Sequence, residues 1–220
     1  MQGGYSTRIV VDEKFVLSIA AKDRLDAVAP LLCAGITTWS PLRHWKVGKG
    51  QRVAVSWRAG PHGRQLAHAL GAEMTLISTS PFKKSDAQRL GADNFLVSRD
   101  GAQLAKAAAR FDFILDTVSA SHDLAALSRL LRLDGTLVLL GIPSKPFELG
   151  AFELIEKRRS IAGSLVGGPA ETQEMLDFCA ERGIVADVET IPMLDVNRAC
   201  ERMLKSDVRY RFSTDLARLC

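Results

Sequence analysis

The residues with the most chemistry in reach sit at two turns of one stretch. Between Arg52 and Gly71 the apolar run RVAVSW is followed by a turn and then by the helical pattern HGRQLAHALGA. A turn between strand and helix can hold a phosphate if it is tight, if its backbone is bare enough to approach closely, and if the helix N-terminus faces the charge. The turn here reads Ser56-Trp57-Arg58-Ala59-Gly60-Pro61-His62-Gly63. Gly60 and Gly63 are its two glycines, and they do not make a G-x-G-x-x-G. On this feature alone a phosphate loop and a plain structural turn stand level.

The next strand pattern, EMTLIST, ends in Ser78-Thr79-Ser80, with Lys83 and Lys84 just beyond. In a doubly wound fold the end of the second strand meets the adenosine ribose, where an acid accepts from the 2′-OH and repels a 2′-phosphate. This chain has no acid there. It offers hydroxyls and two cations, a set suited to phosphate, which favours NADP over NAD. The same residues also read as a Ser/Thr helix cap followed by solvated lysines.

Metal chemistry has less to start from. The cysteines are Cys33, Cys179, Cys200 and Cys220, with no CxxC pair among them. By itself, Cys33 in the apolar stretch LLCAGIT reads as a small core residue. His44, His62, His68 and His122 read as surface or helix residues, none at ligand spacing.

These residues must be positioned by ordinary globular elements. The chain has 220 residues, 47% hydrophobic and 25% charged, with only 6% aromatic. That suffices for one domain, or one domain and part of a second, with an aliphatic core. The net charge of +4 is spread out apart from Lys83-Lys84 and Lys157-Arg158-Arg159, so no nucleic-acid partner is expected. No long apolar run or signal peptide is read, so the expectation is a soluble cytoplasmic chain with free thiols and no membrane partner.

From Gln51 the pattern alternates: RVAVSW, EMTLIST, NFLVS, DFILDTV and TLVLLGI as strands, with helices between them, SHDLAALSRLLRLDG included. Such alternation predicts a parallel sheet covered on both faces. Before it, Tyr5–Ile19 predicts one or two short strands, and Asp26–His44 two short helices, or one helix interrupted near Gly35 and Pro41. After it come FELIEKRR as helix, SIAGSLVG as strand, ETQEMLDFCAERG as helix and a closing strand-helix-strand. Terminal strands outside the central sheet must pair with something else.

The segments GGYSTRIVVDEKFVL, APLLCAGITTWSPLRHW, FDFILDTV, LDGTLVLLGIP, KRRSIAGSLVGG, ETQEMLDFCAERGIVADVE and DVRYRF resemble the medium-chain zinc alcohol dehydrogenases, in particular the cinnamyl-alcohol-dehydrogenase branch with its bacterial broad-specificity aldehyde reductases. The resemblance is collinear over nearly the whole chain. It implies an α/β doubly wound (Rossmann) sheet with remnants of a GroES-like catalytic domain at both ends. The implied divisions are residues 1–26, the dinucleotide domain over 27–185, and a return to the catalytic domain over 186–220. It implies Cys33 as a ligand of the catalytic zinc and Thr37 against the nicotinamide. Gly60 and Gly63 would lie at the phosphates, and Ser78, Thr79, Ser80 and Lys83 at the 2′-phosphate. Thr117 and Val118 would lie near the nicotinamide ribose, Gly141, Ile142 and Pro143 along the nicotinamide, Ser164 in the strand AGSLVGG at its side, and Arg209 near the cofactor phosphates.

What the resemblance implies for function is NADP(H)-dependent interconversion of primary alcohols and aldehydes by zinc-assisted hydride transfer, in a homodimer joined through the edge strand of the sheet. Two departures stand beside it. The remaining zinc ligands of the family belong to a front part upstream of the first residue here, so the chain is expected to be N-terminally truncated. The family's glycine loop is replaced by VSWRAGPHGRQLA, about two residues shorter. A non-catalytic dinucleotide-binding or dimerisation module is the other expectation these departures support.

Overall fold

Strands of four to six apolar residues cannot satisfy their backbones alone, and from residue 52 onward this chain supplies them at the spacing that βαβ units require. The computed structural model describes residues 5–56, 62–89, 91–205, 207–208 and 211–216, apart from the side chains of His62 and Arg64. Its elements are α1 (Leu25–Val28), α2 (Ala34–His44), β1 (Arg52–Ser56), α3 (His62–Ala69), β2 (Glu73–Ser78), α4 (Lys84–Arg89), β3 (Asn94–Val97), α5 (Gly101–Lys106), β4 (Phe111–Asp116), α6 (Leu124–Arg129), β5 (Leu131–Leu139), α7 (Phe152–Ile155), β6 (Ser160–Gly163), α8 (Pro169–Glu181), β7 (Glu189–Pro192), α9 (Val196–Leu204) and β8 (Phe212–Asp215). The chain divides into two compact units, residues 37–166 and residues 1–36 with 167–220.

The 37–166 unit is built on one six-stranded sheet in the order β3-β2-β1-β4-β5-β6, every pair parallel. This is the expected doubly wound α/β arrangement. β2 and β4 are buried along nearly their whole length, as strands covered on both faces must be. Ile114, Phe111, Leu131 and Leu137 are almost wholly buried at the centre, each worth roughly 1.5–3 kcal/mol of transfer free energy. The punctuation follows the sequence. Pro81 opens a 3-10 turn over Pro81–Lys83 that runs into α4. Gly71 and Gly91, at φ +86° and +87°, take the left-handed conformation just past α3 and α4. Asp100 and Asp123 cap α5 and α6.

In the 1–36 and 167–220 unit, α8 buries Thr172, Met175, Leu176 and Cys179, one helical stripe. Gly35 lies where a Cβ would stand 2.9 Å from the Met175 sulfur and 3.0 Å from the Leu31 Cβ, so any side chain here would force Met175 and Leu31 to shift. The expected strand-helix-strand at the end of the chain is present, and its strands β7 and β8 pair with each other in a separate parallel sheet. Among the described residues no single helix is long and apolar enough to cross a membrane.

Three expectations are corrected and one open reading is settled. Tyr5–Ile19 contains no strand, only a 3-10 turn over Glu13–Phe15, because no described strand pairs with it. Of the two readings of Asp26–His44, the two short helices are present: the run breaks at Cys33 (φ −124°, ψ −71°), and Pro41 lies inside α2. The helix read over 121–135 stops at Arg129, its cap is Asp123, and Leu131 starts β5. There Phe111 pairs with Leu131 and Phe113 with Thr136, so residues 132–135 bulge opposite Asp112. Asp134, at φ +62° within the bulge, pairs with Arg158. Finally, β6 ends at Gly163, so Ser164 stands one residue past the strand, where its N–H donates to the Leu139 carbonyl at 3.1 Å.

Candidate functional site

The connections that build the sheet run outward in one direction from β1 through β2 to β3, and in the other from β4 through β5 to β6. The loops leaving β1 and β4 therefore diverge, and a crevice opens beyond the carboxyl ends of these strands. A cleft of about 560 Å³ occupies this position, with Ser56, Ser78, Thr79, Ser98, Arg99 and His122 among the residues that line it. Hydroxyls and the guanidinium of Arg99 stand on the β2–β3 side. The acids at the cleft stand on the β4 side and are already engaged, Asp123 in capping Ala126 N at 2.8 Å and Asp116 in the network below.

Asp116, the last residue of β4, is the hub of the site and is fully buried. Its Oδ1 accepts from the Ser56 hydroxyl and from the Val118 N–H at 3.2 Å. Its Oδ2 lies 2.8 Å from His122 Nε2. Its backbone carbonyl accepts from the N–H groups of Leu140 and Gly141 at 2.8 and 3.1 Å. One residue thus ties the end of β1, the loop after β4 and the end of β5. A buried carboxylate survives only with its lone pairs so satisfied. Thr117 adds a second tie, its Oγ1 donating to the Ser56 carbonyl at 2.7 Å.

His122 is half-buried, with its Nδ1 2.8 Å from the Ala120 carbonyl and its ring edge-on to Phe147 at 5.2 Å. The hydrogen bond to Asp116 is the main cause that raises its pKa above the ordinary 6.5. Burial opposes this rise, and the Ala120 carbonyl and the charges of Asp116 and Asp123 reinforce it. This corrects the reading of His122 as a surface or helix residue. The available signal was an acid closing an apolar strand, FDFILD, with a histidine six residues on. Ser56, Ser98, Arg99 and Asp116 were also missed, because strand ends carry no periodicity that marks them.

The expected residues are placed as follows. Ser78, Thr79 and Val118 line the cleft itself. Ser80 and Lys83 follow Thr79 in the 3-10 turn before α4. Thr117, Gly141, Ile142 and Pro143 extend the loops tied to Asp116, and Ile142 N donates to Ser119 Oγ at 3.3 Å. Gly141 is held so close to the loop after β4 that a Cβ would stand 2.3 Å from the Val118 carbonyl oxygen. Gly63 lies at the start of α3, where a Cβ would stand 3.1 Å from both Leu115 Cδ2 and Thr38 Cγ2. This is the close helix–sheet packing that a glycine at that point serves. Thr37 lies on α2 and Ser164 beyond β6, in the same unit. Gly60 and Arg209, together with the Trp57–Pro61 turn, lie outside the described residues.

The donor set and the two close approaches fit a dinucleotide. A metal does not fit in the same way. Cys33 is exposed and belongs to the other unit, and among the described residues no three His, Cys, Asp or Glu side chains are grouped to hold an ion. A zinc site needs three protein ligands, and the described residues do not group them.

The comparisons with known proteins agree with this geometry. Residues 60–181 match the family described as zinc-binding dehydrogenase. Over 217 residues the chain is 52% identical to aldehyde reductase YahK of Escherichia coli, covering 97% of this chain and 62% of that protein. A cinnamyl alcohol dehydrogenase structure from Sorghum bicolor superposes with a TM-score of 0.90 at 44% identity, over 94% of this chain and 60% of that one. A Helicobacter pylori cinnamyl alcohol dehydrogenase complexed with NADP(H) superposes with a TM-score of 0.85 at 35% identity, over 96% and 60%. The chain thus spans about three fifths of the length of these relatives. With the parallel sheet, the crevice at its switch point and the match over residues 60–181 in agreement, the chain belongs to the zinc-binding dehydrogenase family.

Proposed function

We propose that this chain binds NADP(H) and serves the interconversion of primary alcohols and aldehydes. The observation that carries the reading is the cleft at the switch point, with Ser78, Thr79 and Arg99 at the mouth of β2 and β3 and no acid at the end of β2. Bound there, the nicotinamide would accept or donate the hydride. Ser78, Thr79, Ser80, Lys83 and Arg99 would receive the 2′-phosphate, Gly60, Gly63 and Arg209 the pyrophosphate, and Thr117 and Val118 the ribose. Gly141, Ile142 and Pro143, with Thr37 and Ser164, would frame the nicotinamide. The names of the relatives, an aldehyde reductase and an alcohol dehydrogenase complexed with NADP(H), support the substrate and cofactor class.

In this reading Cys33 is one donor of a zinc site whose other donors are not among the described residues, and the ion would polarise the substrate oxygen. The β6 edge would pair with a second copy. Leu165 and Val166 just past it are 74% and 57% exposed, apolar surface that such a partner would cover. The incomplete donor set favours a second reading, a dinucleotide-binding module without turnover.

Titration of the purified chain with NADPH and NADH, combined with zinc analysis and an assay of benzaldehyde reduction, tests both. Tighter binding of NADPH than NADH is expected, and equal or absent binding would refute the cofactor reading. Zinc-dependent turnover supports the enzyme, whereas NADPH binding without turnover supports the module.

A further inference from the structure

The ring of His122 is more constrained than a loop histidine needs to be. Each of its nitrogens faces an oxygen that can only accept: the Ala120 carbonyl at 2.8 Å from Nδ1 and the Asp116 carboxylate at 2.8 Å from Nε2. A neutral ring would set one lone pair against an oxygen at that distance. Both contacts become hydrogen bonds only when both nitrogens carry protons. The arrangement is therefore an imidazolium on a carboxylate whose other oxygen already accepts from Ser56 and Val118. Between its two anchors, Asp116 and Ala120, runs the loop that presents Val118 to the cleft, and Ala120, Ser121 and His122 line the same wall.

We propose that His122 is a positioning residue of the cofactor cleft: by bridging Asp116 and Ala120 it holds the 117–121 loop as the wall on which the dinucleotide packs. The proposal rests on the cofactor reading above and adds a residue and a pH dependence to it. The charged groups around the ring are Asp116 from β4 and Asp123 at the head of α6, with Arg99 from the β3–α5 loop in the same cleft; the segment bearing Phe147 presents an aromatic face. Because the folded ring holds its proton to higher pH than a free histidine, the clamp is complete below pH 6.5 and is lost as pH rises through the folded value.

The test is NADPH affinity between pH 6 and 10 for the wild-type chain and His122→Gln, alongside a nitrogen-15 titration of the His122 ring. Two protonated ring nitrogens are expected below pH 6.5. Wild-type affinity should weaken several-fold with a midpoint that coincides with the ring titration. His122→Gln should bind more weakly than wild type at pH 6 and lack the wild-type midpoint. Equal affinity of the two proteins, or a pH dependence that persists in the variant, would overturn the proposal. If the variant does not fold, the wild-type comparison decides alone: a mismatch between the binding and ring midpoints sinks the idea. A wild-type chain that binds no NADPH at any pH refutes the cofactor reading, and this proposal with it. That outcome is distinct from a chain that binds NADPH with unmatched midpoints.

Discussion

Gly141 stands so close to Val118 that a Cβ at position 141 would lie 2.3 Å from the Val118 carbonyl oxygen and 2.4 Å from its carbon. Both atoms are backbone, so no rotamer change relieves the clash. The loop after β4 must move away from the end of β5, although Asp116 ties the two together. Gly141→Ala is expected to lower stability by about 1–3 kcal/mol, the usual range for overpacking, and to weaken NADPH binding because the displaced loop forms the cleft wall. Urea unfolding and fluorescence titration measure the two effects. A variant with wild-type values in both would show that the contact relaxes without consequence.

Much of this architecture was legible beforehand. Alternating strands and helices, Pro81 at a helix start, and Gly71 and Gly91 past helix ends are local signals, and local physics decided them. The turn at Arg129–Leu131 was not legible, because a leucine-rich run suits helix and strand equally and only pairing with Phe111 selects the strand. The break at Cys33 lies two residues before the glycine and well before the proline that would mark it. In the site, the strand-end hydroxyls were found by their place in the chain, whereas Asp116 and His122 depend on a turn that brings together residues six apart.

Asp100 gives a pH-dependent helix cap. Its Oδ1 accepts from Ala102 N at 3.0 Å and Gln103 N at 3.1 Å, and its Oδ2 from the Gln103 side chain at 2.7 Å. The Gln103 backbone bond, then its side-chain bond, hold the Asp100 carboxyl below its ordinary 3.8. A depressed pKa stabilises the fold above the unfolded value, and the contribution is lost as pH falls through the folded one. Asp100→Ala should therefore unfold at lower temperature than wild type at pH 7, and the gap should close as the pH drops below 3.8. A gap that persists unchanged at pH 2.5 would mean that the carboxylate charge is not what the cap supplies.

The cysteines should separate by reactivity. Cys179 is 2% exposed on the inner face of α8, and burial alone pushes its thiol up to about 12. Cys33 and Cys200 are exposed. Because thiolate is the reacting form, iodoacetamide at pH 8 should label Cys33 and Cys200 in the folded chain and leave Cys179 intact until denaturant is added. Peptide mass spectrometry over time reads the order. Early labelling of Cys179 would show that α8 opens locally.

Cofactor choice should turn on one exposed position. Thr79 follows the last residue of β2, at the cleft, beside the buried Ser78 and across from Ser98 and Arg99. A carboxylate placed there would face the 2′-phosphate that the hydroxyls and cations of this edge suit. Two like charges about 4 Å apart repel by about 1 kcal/mol in water and about 4 kcal/mol at an effective dielectric of 20, so Thr79→Asp should weaken NADPH binding roughly tenfold or more. The same carboxylate can accept from a ribose 2′-OH, so NADH binding should hold or improve. Thr79 is exposed, which makes loss of folding a poor explanation for any change. Parallel titrations with NADPH and NADH give the ratio directly. If both cofactors weaken equally, the end of β2 does not face the 2′-phosphate, and discrimination must come from elsewhere in the cleft.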